Sequence, residues 1–264
     1  MNESLDIKLK PVAKPAEAID QFIGEQFIEW LLSYIAAEVN SWPQMEFLRT
    51  SVPKEERIKK FLLQCFLVDE AFVGGREGDP GFLRFAIANL SESDDPLAES
   101  ALTILEKRRT EELIGHKIEK GLIITKTREL WMKLFKALGI SADELNKSES
   151  KEYTRNYIAE VSDILSNSEW QEVICGFAVY DRAVPIEYKT IINLLKNSTK
   201  LSDSDLDVLT KRVNMYAQYE SESIHILEKV VFDKESKALV WDGVSKLLAL
   251  RQEFYASLIK YLEG

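Results

Sequence analysis

SDSDLDVLTKRVNMYAQYESESIHILEKVVF, residues 202–232, reads as one long amphipathic helix. At about 100° per residue, Leu206, Leu209, Val213, Tyr216, Ala217, Ile224, Leu227 and Val231 fall on a single stripe. Glu222 and His225 point away from Val213 and share their side with Lys211 and Lys229, the pattern of a solvated face. A stripe that long must be buried against other helices, because an isolated helix is only marginally stable in water.

The same period continues outward in both directions. A second long helix is predicted from about 234 to 262, and earlier ones at about 126–138, 150–166, 168–183 and 185–197. Gly139 stops the 126–138 helix, and Ser141 to Glu144 has the spacing of a capping box opening a brief turn. Ser93-Asp94-Asp95-Pro96 starts a helix to about 116, and a short one at about 81–91 follows Gly78-Asp79-Pro80. Ser51-Val52-Pro53 with Glu55 and Glu56 opens a helix that runs to Gly74-Gly75. From residue 16, Ile19, Phe22, Ile23, Phe27, Trp30, Leu31, Tyr34 and Ile35 mark one face of a long helix that Trp42-Pro43 ends. No stretch sustains period-two alternation, so β-structure is not expected. The expectation is an all-α bundle of about seven to nine helices: a single domain over 16–264, preceded by a loosely ordered arm at 1–15 that carries two prolines.

Composition narrows the function. With 34 Lys plus Arg against 44 Asp plus Glu, the formal charge is -10. Such a surface repels phosphate backbones and anionic lipid, so neither nucleic acid nor a membrane surface is an expected partner. No apolar run reaches the roughly 18 residues that span a bilayer, and no signal-peptide pattern opens the chain. The two cysteines, Cys65 and Cys175, sit in apolar runs (FLLQCFLV and EVICGFAV) and read as small buried hydrophobes in a reducing, cytoplasmic compartment. Gly74-Gly75 is a turn, since no strand precedes it and no Lys-Ser/Thr pair follows.

Chemistry must come from polar residues that face inward. Both histidines have a glutamate upstream on the same helix face: Glu112 with His116, and Glu222 with His225 in the Glu-x-x-His spacing of carboxylate metal bundles. The face argument turns Glu222 and His225 outward, however, and a ligand set in a bundle must face inward. The inward-facing polar residues are different ones. Asp181 continues Val173, Ile174 and Phe177; Glu111 continues Leu97, Ala101 and Ile104, with Arg108 on the same face; Arg212 and Tyr219 flank Tyr216. A buried carboxylate needs a cation, and Arg212 or Arg108 is the kind available.

Four stretches then carry a family resemblance: RTEELI at 109–114, ELWMKLFKALGISADEL at 129–145, CGFAVYDRAVPIEY at 175–188, and LSDSDL at 201–206 leading into the final two helices. In their order and spacing the chain resembles the CADD-like branch of the haem-oxygenase-like superfamily, which also holds PqqC, TenA and the haem-oxygenase-like di-iron oxidases. The resemblance implies a haem-oxygenase-like helical bundle, and, because members of this fold often form dimers, a homodimer. Iron-binding members supply a Glu after the third or fourth helix, a His before the "LW" helix, a second Glu before the "xxP" turn, and a His-x-x-x-Asp-x-x-His run on the penultimate helix. Carried over without gaps, the first Glu falls on Glu111, the His near Thr127, the second Glu on Asp181, and the run on Arg212, Tyr216 and Tyr219. A shifted register reads Gln218, Glu222 and His225 instead, with His116 serving if the loop permits.

Three functions follow. The favoured one is a CADD-like or PqqC-like protein with a degenerate metal site and no cofactor: a metal-independent small-molecule site, binding or enzymatic, lined by Glu111, Asp181, Arg212, Tyr216 and Tyr219, in which Arg and Tyr hold an anionic ligand or polarise an enolate. The alternative is a non-haem iron or di-iron oxidase acting on an amino acid or fatty acid, with Glu111, His116, Asp181, Glu222 and His225 as ligands. The third is a TenA-type thiaminase built on Cys175 and Glu253.

Overall fold

The structure, a computed structural model, describes residues 14–74, 80–113, 117–119 and 122–263. Twelve helices occur among them rather than seven to nine: α1 Pro15–Gln21, α2 Gly24–Ser41, α3 Pro43–Thr50, α4 Glu55–Val73, α5 Gly81–Ser91, α6 Pro96–Leu113, α7 Lys126–Ala137, α8 Ala142–Asn146, α9 Glu152–Asn167, α10 Trp170–Ser198, α11 Asp203–Val230 and α12 Lys234–Glu263. Between α6 and α7 lies a small antiparallel ribbon, β1 Lys117–Glu119 and β2 Leu122–Ile124, with Ile118 paired to Ile123. The ribbon is the one departure from an all-α chain among the described residues, and its three-residue strands are too short for alternation to register.

The surplus of helices comes from local breaks inside apolar stripes that continue across them. The predicted helix from residue 16 is interrupted at Phe22 and Ile23, whose backbone is extended. Trp42-Pro43 ends α2 as expected, yet Pro43 at once opens α3, because a missing N–H costs nothing in a first turn. Pro185 has the opposite effect from a helix break. Helices were expected on either side of position 184, but α10 runs unbroken from 170 to 198 with Pro185 inside it. Packing on every side of α10 outweighs the hydrogen bond that Pro185 cannot donate to the Asp181 carbonyl.

Helix α10 is the axis of the fold, with α11, α12, α2 and α3 packed around it. Its run from Val173 to Asp181 is buried on all sides. It crosses α12 closely at Gly243, where a Cβ would lie 2.8 Å from the Glu172 carbonyl oxygen. Ser141 and Ser202 each cap a helix through a capping box, with Glu144 and Asp205. At the turn into α5, Gly81 adopts φ +63° and lies against the end of α4, so close that a Cβ would be 2.3 Å from the Gly74 amide nitrogen. That contact sets Phe82 into the core, edge-on to Phe72. No described helix is long and apolar enough to cross a membrane.

Candidate functional site

Four arginines, each 6% exposed or less, bring charge into the bundle: Arg128 pairs with Glu70 and Asn146, and Arg212, Arg108 and Arg251 each organise a cluster of their own. The central one is Arg212 on α11. Its Nη1 donates to Glu112 Oε1 (3.1 Å) and Thr127 Oγ1 (2.6 Å), and its Nη2 to Asp69 Oδ2 (3.4 Å) and the Tyr216 hydroxyl (3.1 Å). Glu112, from the last turn of α6, also accepts from Thr127 Oγ1 (2.8 Å) and the Thr127 amide (3.3 Å). It thereby satisfies an amide that the first turn of α7 leaves without a helical partner. Asp69 on α4 accepts from the Trp131 indole (2.8 Å) and the Tyr188 hydroxyl. Four helices therefore meet at one guanidinium, with α10 joining through Tyr188, and its Nε–H has no partner. Burial works against the charge of Arg212, but the facing Tyr216, Asp69 and Glu112 outweigh it and hold its pKa well above the ordinary arginine value.

The second cluster joins α6, α10 and α11. Arg108 Nη2 lies 3.0 Å from Asp181 Oδ2 and donates to Ser223 Oγ at 2.9 Å, while Ser223 donates to Asp181 at 2.7 Å. The guanidinium stacks 4.6 Å from the Tyr219 ring centroid. Burial nevertheless pushes the Asp181 carboxyl up to about 6 against the pull of Arg108 and Ser223. The third cluster lies between α10 and α12: Arg251 forks onto both oxygens of Glu187, Tyr255 donates to the same carboxylate (3.0 Å), and Arg251 reaches the Tyr157 hydroxyl (3.1 Å), itself 2.7 Å from that of Tyr180.

The sequence-derived site is thus partly assembled and partly dispersed. Arg212, Tyr216 and Tyr219 are buried together, with Tyr216 and Tyr219 edge to face at 6.2 Å. Asp181 is buried as expected, but its cation is Arg108, and Arg212 belongs to Glu112 and Asp69. Glu111 is a correction: it sits at the half-exposed edge of α6, 3.9 Å from Lys107, and the inward carboxylate is its neighbour Glu112. Asp69, Trp131, Tyr188, Glu187 and Arg251 were not anticipated. Each is a polar or aromatic residue inside an apolar stripe, and that interruption is the signal that could have found them.

Among the described residues of the shifted register, the carboxylates are held by cations rather than grouped for a metal: Asp181 and Glu222 lie 3.0 Å and 3.8 Å from Arg108. Glu222 pairs with Lys107 (2.5 Å) at the edge of the bundle, His225 is exposed, Glu111 faces outward, and His116 lies outside the described residues. Among the described residues no three His, Cys, Asp or Glu side chains group as a metal site. The carboxylates nearest the centre are already engaged by a guanidinium, which cannot itself ligate a metal. These residues do not fit iron. Cys175 and Cys65 are free and buried, and burial pushes both thiols well above the ordinary range, so Cys175 is a poor nucleophile and Glu253 lies exposed on α12. The described clefts open elsewhere. One of about 450 Å³ lies between α4, α5 and α9, lined by Glu70, Phe82 and Arg155 among others, and a groove of about 570 Å³ runs between α9 and α12. Neither is lined by Arg212.

With α11 antiparallel and α12 parallel to the central α10, the helices make a bundle whose fold, by comparison with solved structures, is haem-oxygenase-like. The chain is similar to a CADD-like protein of unknown function from Nostoc punctiforme, with a TM-score of 0.70 at 14% identity over 90% of this chain and 97% of that one. It is similar to a domain of unknown function with a heme oxygenase-like fold from Shewanella denitrificans (TM-score 0.67, 10% identity, 89% and 91% covered). It also resembles a TenA homolog from Pseudomonas syringae (TM-score 0.63, 12% identity, 95% and 97% covered). No family model matches the sequence, and no curated protein does.

Proposed function

We propose that this chain is a CADD-like protein whose interior cluster around Arg212 is a metal-independent small-molecule site. One observation carries the reading: a permanent cation, Arg212, stands where four helices meet with four of its N–H groups held by two carboxylates and two hydroxyls, while its Nε–H, like those of Arg108 and Arg128, has no hydrogen-bond partner. A buried donor without an acceptor carries a free-energy penalty that a bound molecule relieves. Asp69, Glu112, Thr127 and Tyr216 fix the guanidinium in place, so a ligand meets a preorganised group rather than a mobile side chain. Of the residues expected from sequence, Arg212, Tyr216 and Tyr219 belong to this site. Glu111 is replaced by Glu112, and Asp181 serves the neighbouring Arg108 cluster.

Elemental analysis and ligand screening of the purified chain test this. Iron and manganese are expected well below stoichiometric, and small molecules that raise the melting temperature are expected to lose that effect in the Arg212→Gln variant. Near-stoichiometric iron or manganese would sink the metal-free reading. Hits indifferent to Arg212→Gln would move the site elsewhere, the α4–α5–α9 cleft first.

A further inference from the structure

Comparing the three buried clusters by charge singles out the central one. Arg108 faces the carboxylates of Asp181 and, at 3.8 Å, Glu222, which Lys107 also pairs, and Arg251 faces that of Glu187, so each of these is balanced. Arg212 faces two, Asp69 and Glu112, and the central cluster carries one negative charge too many. The surplus has a definite address. Glu112 spends both oxygens, Oε1 on Arg212 and Oε2 on Thr127. In Asp69 three donors, from Trp131, Tyr188 and Arg212, converge on Oδ2, and Oδ1 takes none of them. The Asp69 side chain is also the most accessible in the cluster, at 11% against 2% for Arg212 and Glu112.

We infer that the Arg212 cluster binds a small organic cation, a protonated amine or amidine, with its N–H groups on Asp69 Oδ1 and an acceptor atom on Arg212 Nε. This rests on the reading of the cluster as a small-molecule site and names what it takes. An anion, the ligand the bare presence of an arginine suggests, would add to an uncompensated negative charge away from water. A cation neutralises it. The surroundings of Asp69 are aromatic as well: Trp131 and Tyr188 lie edge to face beside it, and Tyr216 carries Arg212 over its ring.

The Trp131 indole, which donates to Asp69 at 2.8 Å, is a built-in reporter. The full chain, labelled with ¹⁵N, has five tryptophans, and the Trp131→Phe variant identifies which indole cross-peak belongs to Trp131. Acetamidinium, acetamide and acetate, alike in shape and differing in charge, are titrated at constant ionic strength. Acetamidinium is expected to shift the Trp131 peak at a concentration at least about tenfold below acetate, with the other four indoles unmoved. In Asp69→Asn and Glu112→Gln, each of which makes the cluster neutral, that preference is expected to collapse; the remaining indole peaks report whether each variant is folded. Acetate moving the peak as readily as acetamidinium would overturn the inference and leave the site standing, as would a preference that survives both variants. If none of the three probes moves the Trp131 peak, the cluster is a sealed structural core, and the reading beneath the inference falls with it.

Discussion

Asp181→Asn separates two forces that act on one carboxylate in opposite directions. Burial favours the neutral acid, while Arg108 at 3.0 Å and the Ser223 hydroxyl favour the anion. Burial wins, moving the group from 3.8 to about 6. A carboxyl whose folded pKa lies above its unfolded one binds protons more tightly in the native state. Its contribution to stability is therefore absent above pH 6, grows as pH falls through 6, and is complete below about 4. For a shift of this size the linkage integral between pH 7.5 and 4.5 is about 2 kcal/mol. Urea unfolding of the natural chain and the variant across that range gives two stability curves. Exposed carboxylates distant from Asp181 titrate in both proteins and cancel. The difference, natural minus variant, is expected to rise by about 2 kcal/mol toward low pH. A difference flat to within about 0.5 kcal/mol would refute the dominance of burial, and one that falls would show that Arg108 sets the pKa.

Three further outcomes are expected. Arg212→Met leaves Asp69 and Glu112 buried without their cation and should cost about 3–5 kcal/mol in denaturant unfolding, whereas replacing all three by apolar residues of similar volume should recover most of that loss. Gly81→Ala, strained at φ +63° and driven against the Gly74 amide, should lower stability by more than about 2 kcal/mol, seen as a drop in melting temperature. Cys65 and Cys175 should resist a thiol-reactive dye in the native chain and react once it is unfolded; prompt native reaction at Cys175 would restore a nucleophilic role.

Helix faces made Arg212, Tyr216 and Tyr219 legible in the sequence, because α11 has a sharp boundary between its stripe and its charged side. Helix α6 has no such boundary. Leu97, Ala101 and Ile104 make one plausible stripe, and Ala98, Ala101 and Leu105 make the one the fold buries; Arg108 lies on both, but the first ends on Glu111 and the second on Glu112. One residue is 100°, enough to exchange an exposed carboxylate for the central one. Asp69 and Glu187 are hidden in the sequence for a different reason. Each continues an apolar stripe, and a charged residue there reads as an accident until its partner is known. Partner choice was out of reach altogether. Whether Asp181 meets Arg108 or Arg212 depends on how far helices slide along one another, and periodicity carries no information about that.

The arginine clusters bear on how the chain reaches its native state. Arg108 and Asp181 are 73 positions apart, Arg212 and Glu112 100, and Arg251 and Glu187 64. A compact intermediate that buried α10 before α6, α11 and α12 had docked would strand Asp181 and Glu187 without partners, at a cost apolar collapse does not recover. A slip of one helix turn, about 5.4 Å, would do the same. The same charges that define the site therefore penalise misregistered packings of a bundle whose leucine and phenylalanine surfaces alone would tolerate several. They favour the one register in which each buried carboxylate meets its arginine.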